Sequence, residues 1–160
     1  MAEPSPPLVA VLDTGINPRH PHLAHVELRG YIDLLGVGPA DGAPRDAHGH
    51  GTAVAAAIFR DLPRGRILAI RVLDERLRCE HATLARAIDL AVGAGARLIN
   101  VSMGTTDPLG GQRLAAAIER AVGAGAVVVA AVPPVGHGWP ADLSGVLGVL
   151  PDFSCPPDQV

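Results

Sequence analysis

Apolar residues in this 160-residue chain fall into short runs, separated by polar segments that contain glycine. A run of about five apolar and β-branched residues that stops at a polar loop is typical of a buried strand. A segment with weaker, alternating apolar positions predicts a half-buried strand. The strands predicted in this way cover residues 8–12, 26–33, 66–73, 98–101, 127–131 and 146–150.

Between these strands, apolar residues recur at a spacing of three or four, which predicts helices over residues 81–95 and 114–125. The alanine-rich run 52–59 is interpreted as a further buried helix. The sequence Ala-Val-Gly-Ala-Gly-Ala at 91–96 recurs at 121–126, so that two helices each end at a glycine and return to a strand. Consecutive units of this kind imply right-handed crossovers. The predicted fold is therefore α/β, with a parallel sheet and helices on both faces.

The composition fits such a domain and argues against several partners. Hydrophobic residues make up 48% of the chain, enough for one core, which is assigned to residues 1–150 with a proline-rich tail at 151–160. The net charge is −3 and the 13 basic residues are scattered, so nucleic acid is not expected as a partner. No apolar segment is long enough for a membrane span and no signal peptide is recognised, which predicts a cytoplasmic protein. In that compartment Cys79 and Cys155 are expected to stay reduced.

Two short motifs carry the strongest functional signal. Asp13 follows the first strand in Asp-Thr-Gly, and His50 lies in Gly-His-Gly-Thr at the start of the alanine-rich helix. In a parallel sheet, strand carboxyl ends and helix N-termini meet at one edge, so we expect these two side chains to lie together. A carboxylate fixes the tautomer and orientation of an imidazole and stabilises its cation, while the glycines let the backbone approach closely.

These motifs resemble the aspartate and histidine motifs of the subtilase family, in the same chain order. The resemblance continues through Ile-Asn-Val-Ser-Met-Gly at 99–104, Val-Val-Ala-Ala at 128–131 and Trp-Pro-Ala at 139–141. It implies a subtilisin-like fold in which Asp13 and His50 match two members of the catalytic triad. It also implies an extended peptide as partner. The residues expected to bind this peptide are Ser102, Met103, Gly104, Thr105 and Thr106.

Two departures from the family pattern bear on activity. The family's Ala-Ala-Gly-Asn segment supplies an asparagine to the oxyanion hole, whereas this chain has Pro133 at the asparagine position, and proline has no amide to donate. The family's nucleophile lies in a Gly-Thr-Ser-x-Ala-x-Pro segment, which is matched by none of Ser5, Ser102, Ser144 and Ser154. The expectation is a truncated subtilisin-like fold without enzymatic activity, in which Asp13 and His50 form a vestigial, structural dyad.

Histidine and arginine clusters carry less specific signals. The clustered histidines are His20, His22, His25, His48 and His50. No carboxylate or cysteine accompanies them at a recognised ligand spacing, so neither a metal nor another cofactor is expected. The arginines Arg71, Arg76 and Arg78, near Glu75, are interpreted as a solvated face.

Three functions fit these residues. The first is a non-catalytic pseudo-protease that binds an extended peptide along a strand edge, such as a precursor peptide in a peptide-modification pathway. The second is one half of a split serine endopeptidase, completed by a partner chain that brings the serine. The third is a purely structural subunit. Apolar surface that a missing segment would leave uncovered predicts a homo-oligomer, most simply a two-fold dimer.

Overall fold

The fold is seen in a computed structural model that describes residues 6–36, 42–134, 136–152 and 154. The strands are β1 (Leu8–Asp13), β2 (Glu27–Asp33), β3 (Arg66–Arg71), β4 (Leu98–Val101), β5 (Val127–Ala131) and β6 (Val146–Val149). The helices are α1 (His50–Arg60), α2 (His81–Gly93) and α3 (Pro108–Gly123), and a 3₁₀ turn covers Pro21–Leu23. The strands form one parallel sheet in the order β2-β3-β1-β4-β5-β6.

Both faces of this sheet carry helices, as the apolar pattern predicts. Helix α1 covers one face, where its Ala55 and Phe59 pack with Val9 and Val11 of β1. Helices α2 and α3 cover the other face and form the larger core, in which Ile88 and Ile118 are fully enclosed. The predicted α/β class with a parallel sheet and helices on both faces is confirmed.

The repeated sequence at 91–96 and 121–126 forms the same helix end twice. Gly95 and Gly125 have φ angles of 81° and 76°, the left-handed conformation that glycine adopts without steric cost. The N–H groups of Ala96 and Ala126 each donate to a carbonyl five residues earlier, at 3.0 Å. This is the Schellman pattern, and it returns the chain to β4 and β5 after α2 and α3.

The starts of two helices differ from the prediction. Helix α1 begins at His50, two residues earlier than expected, so His50 is itself part of the first turn. Helix α3 begins at Pro108, six residues earlier, because the Asp107 side chain accepts a hydrogen bond from the Leu109 N–H at 3.0 Å and proline suits the first helical position. The sequence does not indicate this start, because the two glycines after Leu109 have a low helix propensity. A Cβ at Gly111 would press against the Trp139 ring.

The last strand leaves apolar side chains exposed. Leu147 and Val149 are 58% and 49% exposed, and Leu150 just beyond β6 is 62% exposed. Residues 153 and 155–160 of the predicted tail, including Cys155, lie outside the described residues, so the division at residue 150 stays a prediction. Within the described ranges, no helix has both the length and the apolar character that crossing a bilayer requires.

Candidate active site

Asp13 and His50 meet at the carboxyl edge of the sheet. Asp13 ends β1 and is fully buried, while the His50 side chain at the start of α1 is 38% exposed. The Nδ1 of His50 lies 2.7 Å from the Oδ1 of Asp13, which also accepts a hydrogen bond from the Thr14 N–H at 2.7 Å. A carboxylate at Nδ1 favours the tautomer that carries its proton there, which leaves Nε2 as the basic nitrogen.

The Asp46 carboxylate holds the first turn of α1 against the loop after β1. Its Oδ1 accepts hydrogen bonds from the Thr14 hydroxyl at 2.8 Å and the Gly49 N–H at 2.7 Å. Its Oδ2 accepts from the Thr52 N–H at 2.8 Å and the Thr52 hydroxyl at 2.6 Å. Burial raises the pKa of Asp46, but the hydrogen bonds from Thr52, Gly49 and Thr14 outweigh it and hold the pKa below its usual value. No role is predicted for Asp46 from the sequence, although its position at the start of a helix is a capping signal.

Glycine at position 51 allows α1 to start directly against β1. A Cβ on Gly51 would overlap the carbonyl oxygen of Gly15 and lie 3.1 Å from the Cβ of Asp13. The Gly51 N–H donates to the Thr14 hydroxyl at 2.9 Å. The Gly-His-Gly-Thr motif therefore positions His50 by close backbone approach, as expected from the sequence.

The residues predicted to bind a peptide follow β4, the strand next to β1. Leu12 and Val101 are in register, so Ser102 follows β4 at the level where Asp13 ends β1. The backbone N–H and C=O groups of Met103 and Gly104 form no backbone hydrogen bond with the described residues. Thr105 differs, because its N–H and C=O pair with Trp139 at 2.8 and 2.9 Å. The unpaired edge is therefore shorter than the predicted stretch from Ser102 to Thr106.

A cavity of about 230 Å³ opens beside this edge. Met103, Gly104 and Thr105 line one side of it, and Trp139 contributes to its wall. Deeper residues on its wall are Leu73, Leu84 and Leu114. The edge therefore combines unpaired main-chain groups with a partly apolar pocket, which is the arrangement that strand addition requires.

Pro133 lies just beyond β5, where the family pattern has asparagine. The preceding Val132 N–H donates to the Val149 carbonyl at 2.9 Å, which continues the pairing of β5 with β6. Pro133 packs on Gly138, where a Cβ would overlap the proline ring. The position therefore supplies neither a side-chain amide nor a backbone N–H to the edge.

One prediction about the arginines is wrong. Arg71 is not part of a solvated face, because it ends β3 with only 4% of its surface exposed and donates to Asp33 at 2.9 Å. The signal for this burial is its position two residues after the buried Ala69, on the same face of the strand. Arg78, in contrast, is exposed and pairs with Asp74 at 2.9 Å.

Three histidines and Cys79 lie outside the dyad, whereas the His48 ring lies edge-on to the His50 ring, with the ring centroids 6.3 Å apart. His20, His22 and His25 line a cavity of about 730 Å³ along α1, and no group of three potential metal ligands was found among the described residues. Burial raises the pKa of the Cys79 thiol to about 11, with a smaller contribution from Glu80.

Comparison with known proteins agrees with the motifs. The model of the subtilase family matches residues 5–135. Thermitase from Thermoactinomyces vulgaris is 33% identical over 162 aligned residues, which cover 93% of this chain and 56% of thermitase. The prenylagaramide maturation protease PagA matches with a TM-score of 0.71 and 32% identity, over 89% of this chain and 52% of PagA. A serine-to-alanine mutant of the PatA protease domain matches with a TM-score of 0.72 and 29% identity, over 89% of this chain and 56% of that domain.

These similarities contradict the prediction that the chain is not an enzyme. The relatives are proteases, and the prediction was drawn from a missing serine motif and from Pro133. The chain spans about half the length of the relatives it matches, so a motif that these residues lack does not decide the activity of the whole protein. The parallel α/β fold, the Asp13–His50 contact and a family match over more than half of the residues agree, and the chain belongs to the subtilase family.

Proposed function

We propose that this chain provides the acid–base half and the substrate edge of a serine endopeptidase. The observation that carries the proposal is the 2.7 Å contact between the buried Asp13 carboxylate and His50 Nδ1. In such a pair, the Nε2 of His50 removes the proton of a serine hydroxyl as it attacks the peptide carbonyl, and later returns it to the leaving amine. Asp13 keeps the ring oriented and stabilises its cation.

The nucleophile in this proposal comes from a Gly-Thr-Ser-x-Ala-x-Pro segment that these 160 residues do not contain. Either a further segment of the same protein or a second, serine-bearing chain supplies it, the latter being the split endopeptidase considered above. A cavity of about 410 Å³ lies over the carboxyl ends of β4 and β5, lined by Ser102, Ala131 and Val149 among others. We propose that the serine segment packs into this cavity.

The proposed substrate is an extended peptide segment, and more narrowly a precursor peptide. The unpaired backbone of Met103 and Gly104 beside the dyad supports the extended peptide. The similarity to PagA, a protease that acts in the maturation of a prenylagaramide, supports the precursor peptide. The cytoplasmic location and the homodimer remain predictions.

A hydrolysis assay tests the proposal. The protein is incubated with a library of internally quenched peptides, alone and together with a chain that carries the serine segment. We expect cleavage in at least one arrangement, with His50→Ala and Asp13→Asn each lowering turnover by roughly 10⁴-fold or more. His22→Ala is the matched control, because His22 is an exposed histidine whose ring contacts His20 and not His50. Cleavage that survives His50→Ala, or no cleavage in either arrangement, would contradict the proposal.

A further inference from the structure

Three charged side chains lie side by side at the carboxyl edge of the sheet. Asp13 of β1 and Asp33 of β2 are both in register with Arg71 of β3, the strand between them. Adjacent strands are about 4.8 Å apart. A carboxylate, a guanidinium and a second carboxylate therefore follow one another along this edge.

All three side chains are on the face of the sheet that α1 covers. Asp13 contacts His50 of α1 directly. Arg71 lies two residues after Ala69, which packs in the cluster formed with α1, and residues two apart in a strand share a face. The hydrogen bond from Arg71 to Asp33 places Asp33 on this face as well. The row thus belongs to the surroundings of the dyad.

The row is buried, and its charges are unevenly paired. The side chains of Arg71 and Asp33 are 5% and 13% exposed and form an ion pair at 2.9 Å. Asp13 has both hydrogen bonds on Oδ1, whereas its buried Oδ2 has no hydrogen-bond partner among the described residues. A buried carboxylate oxygen without a partner is costly unless positive charge lies nearby. Arg71 is the cation on the adjacent strand.

We propose that Arg71 and Asp33 are a positioning pair for the Asp13–His50 dyad, an inference that rests on the proposed function because it concerns the acid–base group of that peptidase. Arg71 supplies a buried positive charge on the strand next to the Asp13 carboxylate. Asp33 holds the guanidinium away from the Oδ2 of Asp13, so that Arg71 does not compete with His50 for the carboxylate. The pair sets the electrostatic surroundings of His50 without touching the substrate.

The two members of the pair act on His50 in opposite directions. Arg71→Gln removes a positive charge, so the imidazolium of His50 becomes easier to form and its titration midpoint rises. Asp33→Asn removes a negative charge and releases the guanidinium toward Asp13, so the midpoint falls. At a separation of roughly 7–10 Å, about one and a half to two strand spacings, and an effective dielectric constant of about 20, each shift is about one to two pH units.

Other ionisable groups at this edge stay constant across these variants. They are Arg45, Asp46 and His48 in the loop before α1, Tyr31 on β2, and the residues after β3 that line a cavity with Arg71, namely Asp74, Glu75, Arg76 and Arg78. Burial raises the pKa of the Tyr31 hydroxyl, the Asp33 carboxylate raises it further, and Arg71 and Arg45 lower it, so the Arg71–Asp33 pair acts on its neighbour on β2.

The test is an NMR titration of the His50 ring in the protein and its variants. We expect a higher His50 midpoint for Arg71→Gln and a lower one for Asp33→Asn. For Arg71→Lys and for the double variant Asp33→Asn/Arg71→Gln, the midpoint should stay within about 0.3 pH units of that of the unmodified protein. The double variant removes both charges of the Arg71–Asp33 pair, so neither is left buried without the other, which guards against a loss of folding in the single variants. Asp89→Asn, in the exposed pair of Asp89 with Arg120, is the control without effect.

A purely structural role of the ion pair predicts a different result. If both single variants only loosen the site, the His50 midpoint moves in the same direction in both, and the inference is wrong. Opposite shifts support it. The titration needs no serine and no substrate, so its result is separate from the test of the proposed function. Opposite shifts of the His50 midpoint without any peptide cleavage would support the positioning pair and refute the peptidase. Where cleavage is found, the acid limb of its pH profile is expected to move with the midpoint.

Discussion

The replacement Asp46→Asn tests whether one carboxylate holds the first turn of α1 in place. The carboxylate accepts four hydrogen bonds, two on each oxygen, from Thr14, Gly49 and Thr52. An amide has one acceptor oxygen, so in either orientation two of these donors face an NH₂ group. Each donor left without a partner costs about 1–3 kcal/mol, and water in this half-buried loop relieves part of that cost. We expect a loss of about 2–4 kcal/mol of unfolding free energy at pH 7, or about 4–15 °C in Tm.

The pH dependence of this loss has a defined sign. Because the pKa of Asp46 in the folded protein lies below its ordinary value of 3.8, its stabilisation is present above pH 3.8 and disappears as the pH falls through the lowered pKa. Urea unfolding of both proteins at pH 7 and pH 3 measures the difference. Asp61→Asn is the matched control, since Asp61 is exposed and its ion pair within the described part of the chain is with Arg60 at 3.2 Å. The reasoning would be refuted if Asp46→Asn lowered the unfolding free energy by less than about 0.5 kcal/mol at pH 7, or if the decrease were the same at pH 3 as at pH 7.

Four further measurements follow from the structure. Gly104→Val should weaken binding of an extended peptide by at least about tenfold, because the valine Cβ would lie 3.2 Å from the Ala131 carbonyl oxygen and its methyl groups would fill the groove. An unchanged affinity in calorimetry would mean that the peptide binds elsewhere. Pro133→Asn should raise the turnover of the assembled peptidase by about 10- to 100-fold by adding an oxyanion donor, and equal turnover would show that the position does not face the oxyanion. Alkylation of Cys79 at pH 8, mapped by mass spectrometry, should be about 100-fold slower in the folded protein than in urea, because burial raises the pKa of the thiol to about 11. Equal rates in the two conditions would contradict the burial of this thiol. Light scattering at micromolar concentration should show a dimer that Leu147→Glu dissociates, whereas a 16.4 kDa species for the unmodified protein would rule the dimer out.

Local sequence patterns predicted the elements whose cause is local. The helix ends at Gly95 and Gly125 could be predicted from the sequence because a residue in the left-handed conformation completes the Schellman pattern. Asp13 and His50 could be paired from the sequence because a parallel sheet gathers strand ends and helix starts at one edge. The start of α3 was missed because Gly110 and Gly111 oppose helix formation by themselves, and only their contacts with Thr105 and Trp139 explain them.

The parts of the site that depend on distant pairing could not be predicted. The partner of Arg71 is 38 residues away, and its burial depends on the register of β2 with β3, which includes a shift between Leu28 and Gly30. The pairing of Thr105 with Trp139 depends in the same way on a loop that returns after β5. Sequence motifs thus identified the dyad, while the charges behind it follow from strand register alone.

The antiparallel bridge between Thr105 and Trp139 shortens the main-chain edge that is free for the proposed peptide. With Thr105 occupied, a bound peptide gains only about two or three main-chain hydrogen bonds, each worth about 0.5–1.5 kcal/mol net. Such a total corresponds to millimolar affinity at best. Useful binding therefore depends on a side chain that fills the cavity of about 230 Å³ lined by Met103 and Leu114. The proposed peptide would therefore be recognised mainly by the side chain at one position, and an extended conformation alone would not be enough for binding.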